Sequence, residues 1–210
     1  MRQILKNSLF GAILATALVA CDPSDFGEMN IDPNNPSVPV TSNLLTSAEL
    51  GLIGPVTDVQ PTLYSQQISE KFYTENSRYG TAQFSFNGFY AGPLADLQLI
   101  ISLNTDEATK AVAAQNGPNN NQIAVARILK AYLFWHITDR WGDIPYSQAL
   151  LGRDNFKPVY DTQEAIYNGL FTELKEAVAQ ITPGAIRGDQ LLKGNMDLWK
   201  KFANSMRLNM

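Results

Sequence analysis

The spacing of apolar positions along the chain predicts helices in succession and no alternating strand. Thr41 or Ser42 can cap a helix running to about Ile53, with Leu44, Leu45, Ala48 and Leu52 on one side. Pro61 suits a first helical position, and Tyr64, Ile68 and Phe72 then repeat every four residues. Pro93 opens a further stretch carrying Leu94, Leu97 and Ile101, which Asn116-Gly117-Pro118 ends. An asparagine run, Asn119 to Asn121, leads into Ile123 to Thr138, where Arg127, Lys130, His136 and Thr138 alone are clearly polar. A helix apolar nearly all round is a buried one. Asp161-Thr-Gln-Glu164 has the form of a capping box with an acid in the serine position. Ile166, Leu170, Leu174, Ala177 and Ile181 follow at helical spacing until Thr182-Pro183-Gly184. A last amphipathic helix carries Trp199, Phe202 and Met206, with Lys200, Lys201 and Asn204 toward water. The class expected is all-α. The last three helices begin roughly 35 to 40 residues apart, a loose echo of a helical repeat with a period near ~34 residues.

The buried helix stops abruptly at Trp141-Gly142-Asp143-Ile144-Pro145-Tyr146. Gly142 can take the left-handed backbone that ends a helix, and Pro145 cannot continue one. Asp143 can accept hydrogen bonds from amides of the reversing chain, while Trp141 and Tyr146 cover the turn with apolar mass. These five residues are read as an architectural motif.

The N-terminus adds an address. Arg2 and Lys6 precede Leu9 to Ala20, an uncharged and mostly apolar run of 12 residues. As a helix it would reach ~18 Å, short of a ~30 Å hydrocarbon core, so it reads as a signal-peptide core. Leu18-Val19-Ala20-Cys21 resembles the lipobox of bacterial lipoproteins, which implies cleavage before Cys21 and a diacylglycerol on its sulfur. Cys21 is the one cysteine of the chain, so an intramolecular disulfide is impossible. Several acyl chains anchor a protein stably where one does so marginally. Cleavage removes two basic residues and no acid, moving the net charge from −4 to −6. An acidic chain without a basic cluster argues against a nucleic-acid partner and against adhesion to anionic lipid through protein charge. The organisation expected is a leader over residues 1–20, a lipidated Pro/Asn/Asp-rich tether over 21–40, and a helical body over 41–210.

Four stretches resemble the SusD/RagB family of surface lipoproteins. They are the lipobox with FGEMNIDPNNPSVP, the aromatic segment ending GFYAGPLADLQLI, AYLFWHITDRWGDIPYSQAL, and LWKKFANSMRLNM. The resemblance implies helix pairs similar to tetratricopeptide repeats with irregular insertions, and an outer-membrane lipoprotein facing the cell exterior. It further implies capture of oligosaccharide or peptide for a TonB-dependent SusC-like transporter, without catalysis. Family members run on for about as many residues again, so residues 1–210 are expected to be an N-terminal part.

The stretch Phe72 to Pro93 mixes rings with amides and a guanidinium on an expected loop. Flat rings cover the C–H face of a sugar, and amide or guanidinium donors reach its hydroxyls. Asn76, Arg78, Tyr79, Phe86, Phe89 and Tyr90 are the ligand-binding candidates. The alternative use of these rings is to pack the loop onto the helices. No cofactor or metal site is expected, since one histidine cannot build a multi-histidine metal site and His136 reads as a hydrogen-bonded core residue. A periplasmic glycoside hydrolase would need two carboxylates across a cleft; Glu70, Glu75, Asp139 and Asp143 are available, but none stands in a catalytic motif. A helical scaffold that docks other envelope proteins without binding nutrient is the other alternative.

Overall fold

A helix apolar on most sides needs neighbours on most sides, and the packing supplies them. The structure, a computed structural model, describes residues 38–80 and 84–210; the leader, Cys21 and the tether up to residue 37 lie outside the described residues. Within them run α1 (Thr41–Gly51), α2 (Ile53–Thr57), α3 (Gln60–Tyr64), α4 (Asn87–Ala91) and α5 (Pro93–Thr105). Then come α6 (Lys110–Ala113), α7 (Asn119–Trp141), α8 (Gln163–Gln180) and α9 (Met196–Asn209). There is no strand among the described residues; one antiparallel bridge joins Ile144 and Asp161. The class is all-α, with helix pairs and irregular insertions.

The long central helix α7 packs against α5 and α8 and also touches α9, while α1 covers α5. Val125, Ile128, Leu129, Leu133, Phe134 and Ile137 are at most 2% exposed, which places the core around α7. Leu94, Leu97 and Ile100 of α5 and Ile166, Leu170 and Leu174 of α8 close it from two sides. Arg127 joins α7 to α8 polarly, its Nε and Nη2 each donating at 2.8 Å to one Glu173 oxygen.

Several boundaries differ from the sequence reading. Neither Thr41 nor Ser42 caps α1: Val40 does, without a side-chain bond, and Thr41 is a buried first-turn residue. The helix stops at Gly51 and Ile53 starts the short α2. The helix at Pro61 ends at Tyr64, leaving Ile68 and Phe72 49% and 73% exposed outside any helix. Thr162, not Asp161, caps α8 through its hydroxyl, which accepts from the Ala165 amide. The asparagine run is the first turn of α7. Buried Asn121 donates to the carbonyls of Thr182 and Gly184, and Gln122 to those of Ala113 and Gly117. The last helix holds Trp199 and Met206 buried and Phe202 half-buried; Lys201 and Asn204 are exposed, but Lys200 is half-covered.

Candidate functional site

The turn after α7 is built by exchange with the start of α8. Gly142 has φ 75° and ψ −121°, positive in φ but outside the left-handed helical region expected of it. Its amide donates to Thr138 O at 2.8 Å, and the Thr138 hydroxyl donates to Gly142 O at 2.7 Å. Asp143 accepts no amide of its own turn; it accepts the Gln163 amide at the head of α8. The acid that holds the turn is Asp161, which accepts the amides of Tyr146 and Ser147 at 3.0 and 2.7 Å and the Ser147 hydroxyl. Burial pushes the Asp161 carboxyl up, but the Ser147 and Tyr146 donors outweigh it and hold it below the usual range. Pro145 O accepts the Tyr90 hydroxyl, and the Tyr146 ring meets Phe134 edge-on at 4.9 Å. Gly169 leaves room for that ring, since a Cβ there would stand 2.7 Å from it.

The six ligand candidates separate into two groups. Phe86, Phe89 and Tyr90 are packed against the core. Phe86 and Phe89 lie 5.7 and 6.2 Å from the Trp141 ring, and Tyr90 lies 5.9 Å from Phe134. These three rings pack and keep partial exposure, and Phe86 and Tyr90 also line a small pocket with Pro145, Ala149 and Tyr160. Asn76, Arg78 and Tyr79 stand apart, in the turns before Gly80. Arg78 is exposed, Tyr79 is 57% exposed at φ 59°, and its ring lies 5.7 Å from Tyr64.

Between these groups opens a cleft of about 680 Å³ lined by Gln60, Pro61, Tyr64, Phe84, His136, Asp139, Arg140 and Trp141. The last turns of α7 supply four of its residues, α3 supplies three, and Phe84 comes from the segment before α4. Arg140 lies between two rings, 4.4 Å from the Phe84 centroid and 4.9 Å from that of Trp141, and is ion-paired to Asp58. Burial tends to raise the Asp58 carboxyl, yet the Gln60 amide and the Arg140 guanidinium hold it below its ordinary value. Asp139 accepts the Tyr167 hydroxyl. Burial, with Arg140 beside it, lowers the His136 imidazole below its usual value and keeps it neutral at pH 7. His136 is not the hydrogen-bonded residue expected: its Nε2 is buried and has no partner among the described residues.

Gln60, Tyr64, Phe84 and Arg140 were not among the sequence candidates. The signal for the site lay in the polar positions His136, Asp139 and Arg140, which interrupt the apolar helix just before the turn. Trp141, assigned to the turn alone, also walls the cleft. No cluster of His, Cys, Asp or Glu suited to a metal ion occurs among the described residues. No helix among them is long and apolar enough to cross a membrane.

The profile of the SusD-like family, described as starch-binding and associating with the outer membrane, matches residues 33–210. The chain belongs to the SusD-like family. Solved structures agree. A chitin-binding protein is 28% identical at TM-score 0.63, over 80% of this chain and 37% of its own. A SusD-like protein of Bacteroidetes AC2a is 30% identical at TM-score 0.61, over 80% of this chain and 32% of its own. A SusD homologue of Bacteroides fragilis has the same fold at 24% identity and TM-score 0.64, over 81% of this chain and 35% of its own. The chain thus spans about a third of the length of these SusD-like structures. A search of curated proteins finds no match.

Proposed function

We propose that this SusD-like chain belongs to an outer-membrane lipoprotein that captures an oligosaccharide or peptide nutrient and passes it to a TonB-dependent SusC-like transporter. The observation that carries the reading is the cleft at the end of α7, where aromatic walls meet polar and charged groups in a member of a family described as starch-binding. Binding and handover, without catalysis, are the proposed role. Asp139 and Asp143, the nearest acids to a hydrolase reading, are engaged by the Tyr167 hydroxyl and the Gln163 amide. Asn76, Arg78, Tyr79, Phe86, Phe89 and Tyr90 remain proposed ligand contacts, with Tyr79 beside Tyr64 of the cleft. The five residues from Trp141 to Tyr146 named above are proposed as architecture, with Trp141 contributing a wall.

Calorimetry on the full-length protein tests the site. Phe84→Ala and Tyr64→Ala remove half-exposed rings, and each should weaken ligand by about 2- to 10-fold, from ~0.5–1.5 kcal/mol per ring contact. Unchanged affinity in both variants would move the site elsewhere. We propose further that Cys21 carries the lipid, on a surface facing the cell exterior. Cys21→Ser should release the protein from the membrane fraction, and an unchanged fraction would refute lipidation.

A further inference from the structure

Asparagine followed by glycine occurs at Asn87-Gly88, Asn116-Gly117 and Asn168-Gly169. Such a pair carries its own chemistry. The glycine amide nitrogen can bond to the asparagine Cγ, and the Cγ–Nδ2 bond then breaks with release of ammonia. Water opens the resulting succinimide at either carbonyl, giving aspartate or an isoaspartate whose backbone runs through Cβ and Cγ. The lack of a Cβ on glycine lets the two reacting groups approach. Ring closure asks two things of a folded chain: a glycine amide free of a carbonyl acceptor, and a backbone able to turn out of its native conformation.

The fold treats these pairs differently. Asn168-Gly169 lies inside α8, beyond its first turn, where each amide donates to the carbonyl four residues back. Gly169 also sits against the Tyr146 ring, from which a Cβ would stand 2.7 Å away. Asn116-Gly117 is tied on both sides: the Gly117 amide donates to Ala114 O at 3.1 Å, and Asn116 O accepts the Arg187 amide at 2.8 Å. Gly117 O in turn accepts Gln122 Nε2 at 2.8 Å. Asn87-Gly88 has none of these ties. Both residues are exposed, and the Asn87 side chain makes no hydrogen bond among the described residues. α4 is 5 residues long, and Gly88 stands in its first turn, where an amide has no acceptor within the helix. Nor does the Gly88 amide donate to another backbone carbonyl among the described residues. No atom lies within 4 Å of where a Gly88 Cβ would stand, so the segment has room to turn. We infer that Asn87-Gly88 is a site of spontaneous deamidation in the folded protein, and that the fold protects the other two pairs. The product places a carboxylate at the head of α4 and, as isoaspartate, an extra backbone methylene. That change reaches the pocket that Asn87 lines with Phe86, Tyr90, Pro145 and Tyr160.

The test is peptide mapping by mass spectrometry after incubating the full-length protein in warm, mildly alkaline buffer, native and urea-unfolded in parallel. In the native protein Asn87 should deamidate at least about tenfold faster than Asn116 or Asn168, because a short exposed helix opens at little cost and the interior of α8 does not. Isoaspartate should appear at position 87. In urea the rates should converge, since no fold then distinguishes the pairs. Gly88→Ala should slow the reaction at Asn87 severalfold and leave the melting temperature unchanged, because the added Cβ meets no atom in the fold yet hinders ring closure. Should Gly88→Ala fail to fold, the comparison of native with unfolded protein decides without it. Equal native rates at the three pairs, or an intact Asn87 in a native chain whose Asn116 or Asn168 reacts, would overturn the inference. So would an Asn87 that reacts in urea alone, or a folded Gly88→Ala that loses ammonia from Asn87 as fast as the parent.

Discussion

Gly142 holds φ 75° and ψ −121°, a combination that L residues avoid, while a Cβ there would meet nothing within 4 Å. The demand for glycine is therefore conformational. Gly142→Ala should cost about 1–3 kcal/mol in urea unfolding, entirely from backbone strain. Gly188 is the contrasting case: at φ 85° a Cβ would also stand 2.2 Å from Ser42 O, so Gly188→Ala should be the more damaging of the two. Tyr90, a candidate contact, also makes a structural bond. Its hydroxyl donates to Pro145 O, so Tyr90→Phe should lose about 0.5–1.5 kcal/mol of stability with the ring packing kept. A loss of ligand affinity at unchanged stability would return Tyr90 to the binding surface.

Between elements, the contact of α1 with the loop before α9 contains two buried acids. Glu49 is 4% exposed; its Oε2 accepts the Gln190 amide at 2.6 Å and its Oε1 has no partner among the described residues. Asp189 beside it accepts the amides of Leu192 and Gly194 and the indole N–H of Trp199. Burial pushes the Glu49 carboxyl from 4.5 up to about 7; the Gln190 amide opposes the rise and the Asp189 charge adds to it. The folded protein then keeps a proton that the unfolded chain releases between those values. Stability should fall as pH rises from about 4.5 to 7 and level off above, and Glu49→Gln should flatten that slope. Denaturant midpoints measured across this range decide it; parallel pH dependence in parent and variant would remove Glu49 as the cause. The same logic of neighbours governs the turn, where Asp143 serves the helix that follows and Asp161 serves the turn that precedes it.

Across the molecule, stability concentrates on α7, which touches α5, α8 and α9. Leu133 is fully buried on it, and Leu133→Ala should cost about 2–5 kcal/mol. Leu208, 86% exposed on α9, should tolerate alanine within about 0.5 kcal/mol. Thermal melts of the two variants give the comparison directly, and similar losses in both would contradict the placement of the core. The cleft depends on the same arrangement, because one wall is the end of α7 and the opposite wall comes from the short α3 and the segment at Phe84.

By itself the sequence determined whatever depends on local periodicity. The apolar run of α7, the spacing of Ile166, Leu170, Leu174 and Ala177 on α8, and the stop at Trp141-Gly142 are legible because a helix writes its buried face into neighbouring positions. Tertiary structure decided what depends on partners far along the chain. Asn121 and Gln122 look like a polar lead-in until the carbonyls at Thr182 and Ala113 are brought to them. Tyr64, Ile68 and Phe72 have a helical spacing, yet the helix stops at Tyr64 and the two later residues stay exposed. That Phe86, Phe89 and Tyr90 pack against Trp141 and Phe134 is likewise visible only once those distant residues are placed beside them. Gln60 and His136 carry no signal in common along the sequence; they share a cavity because α3 folds back against the end of α7, a consequence of packing that no local pattern records.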